Sequence, residues 1–127
     1  MEADISGSQR KIIGAEVRPN RALWGASGIS TRDGVALPFR VSRRWNAPAG
    51  YYLEQWFLVD PQSREIVYEG PSKQRLIWGL QSWTEVLDEI EGGFSLAAGK
   101  YQIVFALGGV RGGEVEVEVA EAPAEAA

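Results

Sequence analysis

The stretch Tyr101–Ala120, read as YQIVFAL, GGVRGG and EVEVEVA, constrains the fold more than any other part of the chain. Over Glu114–Val119 every second residue is Val and every other is Glu. That period of two is the mark of a half-buried strand, with Val115, Val117 and Val119 toward a core and Glu114, Glu116 and Glu118 toward solvent. A helix would scatter the same valines around its circumference. The intervening glycines raise the question of a phosphate cradle. Gly108 to Gly113 spans G-x-x-x-x-G, but Glu114 stands where a P-loop needs Lys. A strand also follows where that motif needs the N-terminus of a helix to hold the anion. The stretch is therefore read as a hairpin, its glycines admitting positive φ in the turn.

The same alternation recurs upstream. Lys11–Val17 places Ile13, Ala15 and Val17 on one side. Val35–Trp45 places Val35, Leu37, Phe39 and Val41 on one face and Arg40, Ser42 and Arg44 on the other, with Pro38 demanding a strand start, a bulge or an edge. Tyr51–Val59 is apolar on both parities, so it should be central and covered on both faces. Asp60–Arg64 is a turn, with Pro61 presetting φ. Glu65–Gly70 returns as a hairpin strand, and Gln74–Trp83 repeats the period through Leu76, Trp78 and Leu80. Ser82 and Glu85 match a capping box, and Val86, Leu87 and Ile90 fit one helical face, so a short helical turn is expected there. The long connection Pro19–Gly34 carries Trp24. The expected organisation is a flexible arm over 1–10, one β-domain over 11–120 and a flexible tail over 121–127.

The pattern Leu96-x-x-Gly99-x-Tyr101, just before the penultimate strand, resembles the tyrosine corner of Greek-key sandwiches. On that likeness the chain resembles an immunoglobulin-like domain in the broad bacterial sense. About seven strands at this spacing, with one short helical turn, point to a β-sandwich or a small barrel, and the resemblance implies the all-β, immunoglobulin-like antiparallel β-sandwich. It implies that Tyr101 opens strand F, that Gly113–Ala120 is strand G, and that Trp56 lies on strand C, where such domains keep a core Trp. The chain departs from true immunoglobulin domains in lacking both core cysteines. The resemblance bears on architecture; many bacterial members serve as spacers, adhesive modules or assembly subunits.

Composition narrows the chemistry. Among 127 residues there is no Cys and no His, which removes disulfides, thiolate sites and every triad built on His. A net charge of −4 speaks against nonspecific nucleic-acid binding. No apolar run is long enough to span a membrane, and Met1–Lys11 holds no signal-peptide core. A cytoplasmic location is the expectation for the chain as given, with an extracellular or periplasmic one if a leader has been removed. An enzyme would need a carboxylate pair in a cleft, such as Glu54 with Asp88; the expectation is that the chain is not an enzyme, with no catalytic residue, metal or cofactor. The Glu stripe pairs with nearby arginines on one reading, Arg40 and Arg44 among them, and meets a basic partner on the other.

The aromatic residues carry the functional expectation. Five Trp exceed what a small core needs, and exposed aromatics beside Arg are the composition of interface hot spots. The expected function is a non-catalytic protein-interaction or assembly module, contacting a protein partner or a second copy of itself. Its contact residues would come from Trp24, Arg44, Tyr52, Trp56, Trp83 and Arg111. The alternative is carbohydrate binding, with Trp24, Trp83 and Tyr52 as stacking platforms.

Overall fold

A computed structural model describes residues 9–124, which form two facing β-sheets. The strands are β1 (Lys11–Pro19), β2 (Ile29–Arg32), β3 (Val35–Ala36), β4 (Phe39–Asn46), β5 (Gly50–Val59), β6 (Ile66–Glu69), β7 (Lys73–Ile77), β8 (Thr84–Ile90), β9 (Gly99–Leu107) and β10 (Val110–Glu121). The smaller sheet has the order β1-β4-β8 and is wholly antiparallel. The larger runs β3-β2-β10-β9-β5, with β6 and β7 side by side along the far edge of β5. Its one parallel pairing joins Ile29–Thr31 to Val119–Glu121. The described residues thus form an all-β, sandwich-like arrangement with ten strands where about seven are expected.

The added strands are β2, β3 and β8. The run Val35–Trp45 is two strands, because Pro38 cannot donate to a ladder. Before it, β3 pairs with β2 in the larger sheet; after it, β4 joins the smaller sheet. The strands expected at Glu65–Gly70 and from Gln74 onward are β6 and β7, and both pair with β5. The long connection after Pro19 holds β2, together with a single 3₁₀ turn at Ala22–Trp24.

The helical turn expected within Ser82–Ile90 is absent: the segment is β8. Thr84, Val86, Asp88 and Ile90 point inward and Glu85, Leu87 and Glu89 outward. A capping box was the wrong reading because the inward alternation passes through an aspartate. In β1 a bulge between Ile12 and Gly14 turns Ile12 inward and leaves Ile13 exposed, the reverse of the simple alternation. Around Leu76 the parity is also reversed, with Ile77 buried and Leu76 and Trp78 exposed.

The final hairpin is as expected, and its parts are distinct. Gly108 and Gly109 form the two-residue turn, both with positive φ (59° and 82°), which is the combination a type I′ hairpin requires. A bulge then falls between Arg111 and Gly113. Gly112 lies against Trp45: a Cβ there would overlap the indole ring. Tyr101 donates its hydroxyl to the Ala97 carbonyl at 2.8 Å, pinning the entry to β9. The arm expected over residues 1–10 lies outside the described residues for 1–8, whereas Arg10 is docked. Its guanidinium donates to the Leu107 carbonyl at 3.0 Å and sits 4.8 Å from the Tyr52 ring centre. At the other end, Ala122 N–H donates to the Thr31 carbonyl, so the chain stays tied down past Ala120; 125–127 lie outside the described residues.

Candidate functional site

Four charged side chains meet between the sheets. Arg43 of β4 and Asp88 of β8 come from the smaller sheet, and Glu54 of β5 and Arg75 of β7 from the larger. Arg43, Glu54 and Asp88 are 2%, 1% and 3% exposed. Each sits at the inward parity of its strand, between residues such as Val41 and Trp45, or Val86 and Ile90.

Glu54 accepts four N–H donors. Arg43 reaches it bidentately, Nη2 to Oε1 at 2.5 Å and Nε to Oε2 at 2.8 Å; Arg75 Nε donates at 3.1 Å and Trp45 Nε1 at 2.6 Å. Asp88 lies 2.9 Å from Arg43 Nη2, and accepts from Arg75 Nη2 and Trp56 Nε1, each at 2.9 Å. Two cations and two anions balance. An unpaired ion in such a place would carry a penalty of several kcal/mol, about the cost that pairing and hydrogen bonding must offset. Burial tends to raise the Asp88 pKa, but the Trp56 hydrogen bond and the Arg43 and Arg75 guanidiniums overcome it and hold the carboxyl below its usual range. Tyr68 lies beside this cluster, stacked on Phe94 at 4.1 Å and tilted against Trp56. Its phenol is pushed up, first by burial and then by the Asp88 charge.

The two core tryptophans are built alike. Trp45 and Trp56 are fully buried, each donates its indole N–H to one carboxylate, and each lies over a glycine, Gly112 and Gly70 respectively. Glu54 and Asp88 are thus brought together as an enzyme would need, but their oxygens are taken up by fixed donors.

The expected contact residues do not share a face. Trp56 is a core residue, and its place on an outer contact face is corrected. Tyr52 also points inward on β5, half-buried, with its hydroxyl on the Pro48 carbonyl at 2.8 Å and one side of its ring met by Arg10. Arg44 is exposed on the outer face of the smaller sheet, where Arg40 and Arg44 stand opposite Glu89 and Glu85 of β8. These arginines do not face the Glu114, Glu116 and Glu118 stripe, which lies on the outside of the other sheet. Trp24 is half-buried in the 3₁₀ turn, with the Arg21 guanidinium over its ring at 5.4 Å. Trp83 is exposed in the loop between β7 and β8. Arg111 is exposed and ion-paired with Glu114.

Sequence reasoning missed the two most open large apolar side chains, Tyr51 and Trp78, and two leucines near them. Tyr51 is 74% exposed and Trp78 67%; Leu53 and Leu76 are each 40%. Tyr51 is directly opposite Leu76, so Tyr51, Leu53 and Leu76 share the outer face of the larger sheet, with Trp78 just beyond the end of β7. The signal was present in the double parity of Tyr51–Val59; what was missing was which parity turned inward. Among the described residues no group of three or more carboxylates could hold a metal ion, and no helix is long and apolar enough to cross a membrane. Neither a protein-family model nor a curated protein matches this chain.

Proposed function

We propose that this chain is a non-catalytic interaction module of the immunoglobulin-like class, and that its contact surface is the outer face of the larger sheet. The observation that carries the reading is the open apolar row Tyr51, Leu53 and Leu76 on that face. Contiguous exposed apolar surface of this kind marks interaction sites. Tyr51 supplies the large, rigid anchor that hot spots favour. The immunoglobulin-like reading draws support from β2 lying parallel to β10, the order β10-β9-β5, and the Tyr101 bond at the head of β9. The non-catalytic reading draws support from Glu54 and Asp88. A general acid needs a pKa near the working pH, and Asp88 is held in the opposite direction.

Carbohydrate stacking keeps one specific feature in its favour, the exposed Trp78 and Trp83 at the two ends of one short loop. Two of its three expected platforms are compromised, since Arg10 covers Tyr52 and Arg21 covers Trp24. Titration of Trp fluorescence with a glycan panel decides this second reading: saturable quenching supports it, and no response to any sugar removes it.

The interaction reading is tested by matched substitutions. Leu53 and Leu87 are exposed leucines on the outer faces of the larger and smaller sheets. Leu53→Gln should reduce recovery of the complex formed in the native source by about tenfold, in the range of a hot-spot truncation. Leu87→Gln should leave it intact. Loss with Leu87→Gln alone would move the contact to the other sheet.

A further inference from the structure

We infer that the outer face of the larger sheet takes a basic amphipathic segment of a partner protein, and does not take a second copy of this chain. The inference rests on the interaction reading above and concerns the chemistry of the partner. The ladders define what lies along each row of the face. One row reads Glu114, Val104, Phe57, Glu69 from β10 across β9 and β5 to β6. The next reads Glu116, Gln102, Val59, Ile66. The centre is therefore apolar, with Phe57, Val59 and Val104 half-buried and Leu53 and Tyr51 more open along β5. Acid stands on both margins, as Glu114, Glu116 and Glu118 on β10 and as Glu69 on β6.

Few cations on this face offset that charge. Arg111 is held by Glu114, and Lys100 stands opposite Glu118. Through this same face a second copy offers little complement, because Arg111 and Lys100 already stand beside Glu114 and Glu118. A two-fold axis along the strands would set Glu114 against Glu69 of the other copy. An axis across the strands would set Glu114 against its own equivalent. Both put acid on acid around an apolar centre, and like-charge juxtaposition opposes association. The net charge of −4 acts in the same direction. The complementary surface is an apolar stripe with Lys or Arg on both flanks. Three strand spacings separate β10 from β6, about 14 Å, and a helix with its side chains is about 10–12 Å wide. An amphipathic helix laid along the strands would place its flanking cations over the two acidic margins.

The test uses two synthetic helical peptides with the same apolar stripe, one flanked by Lys and one by Glu, titrated into the whole chain and followed by backbone NMR. The Lys peptide should shift residues 53, 57, 104 and 116, and bind at least about tenfold more tightly than the Glu peptide at low salt. The triple variant Glu69→Gln, Glu114→Gln, Glu116→Gln should lose about tenfold in affinity, whereas Glu85→Gln with Glu89→Gln, on the other sheet, should not. Equal binding of the two peptides, equal loss in the two charge variants, or concentration-dependent shifts on this face without peptide would overturn the basic-partner inference and leave the interaction face standing. No shift on this face with either peptide, and none with protein concentration, would overturn both.

Discussion

At position 43 a guanidinium occupies a site that its strand otherwise gives to Phe39, Val41 and Trp45. It is tolerated because Glu54 and Asp88 arrive from two other strands. Removing one partner is then costly: Glu54→Ala leaves Arg43 and Arg75 short of a carboxylate and the Trp45 indole without its acceptor. The expected loss in urea unfolding is about 3–5 kcal/mol. The same cluster fixes a pH dependence. Asp88 has a folded-state pKa below its unfolded value, so the unfolded chain binds the proton more readily. Its contribution is complete above the ordinary Asp range, about 4, and is lost as pH falls through the lower folded value. Asp88→Asn should be less stable at neutral pH and show a flatter decline in acid; an unchanged acid slope would remove Asp88 from the account. Arg75 fell on the parity opposite Leu76 and Asp88 within an expected helical turn, so only Arg43 and Glu54 were legible as charged residues on an apolar parity. The partnership of the four was not, because residues 43, 54, 75 and 88 meet only when two sheets close on one another.

Among the elements, the last hairpin shows how one glycine-rich stretch serves two different needs. Gly109 has a φ of 82° and nothing within 4 Å of where a Cβ would stand, so only its backbone conformation demands glycine. Gly112 is needed for space, because Trp45 fills the place of its side chain. Gly109→Ala should cost about 1–2 kcal/mol and leave the near-ultraviolet circular dichroism of the tryptophans unchanged. Gly112→Ala should cost about 1–3 kcal/mol from overpacking alone and alter that spectrum as Trp45 is displaced. Equal spectra for the two variants would contradict the assignment of Gly112 to Trp45. The turn, the alternating valines and the Tyr101 corner could be read from local pattern, since each is a short-range relation. β8 could not. Its period passes through Asp88, whose place inward depends on Arg43 and Arg75, and a local reading favoured the helical face of Val86, Leu87 and Ile90. β2 was hidden for a related reason: its four residues pair in parallel with the far end of the chain.

For the whole molecule, the two sheets divide the labour. The inner faces hold Trp45, Trp56 and the charged cluster that ties β4 and β8 to β5 and β7. The smaller sheet sets Arg40 and Arg44 against Glu89 and Glu85 on its outside, a balanced surface. The larger sheet carries the apolar centre with acidic margins. Of the expected contact residues, Arg44, Trp83 and Arg111 are at the surface, while Trp56 serves the core and Tyr52 and Trp24 are half covered by arginines. An aromatic residue in a strand that is apolar on both parities can face either way, and only the register of β5 against β7 and β9 decides it. The functional claim is therefore a claim about one outer face, and cross-linking from that face tests it most directly. A photo-reactive phenylalanine analogue at position 51 should attach to a partner in the native source, and the same probe at position 87 should not. Cross-links from position 87 with none from position 51 would contradict the account.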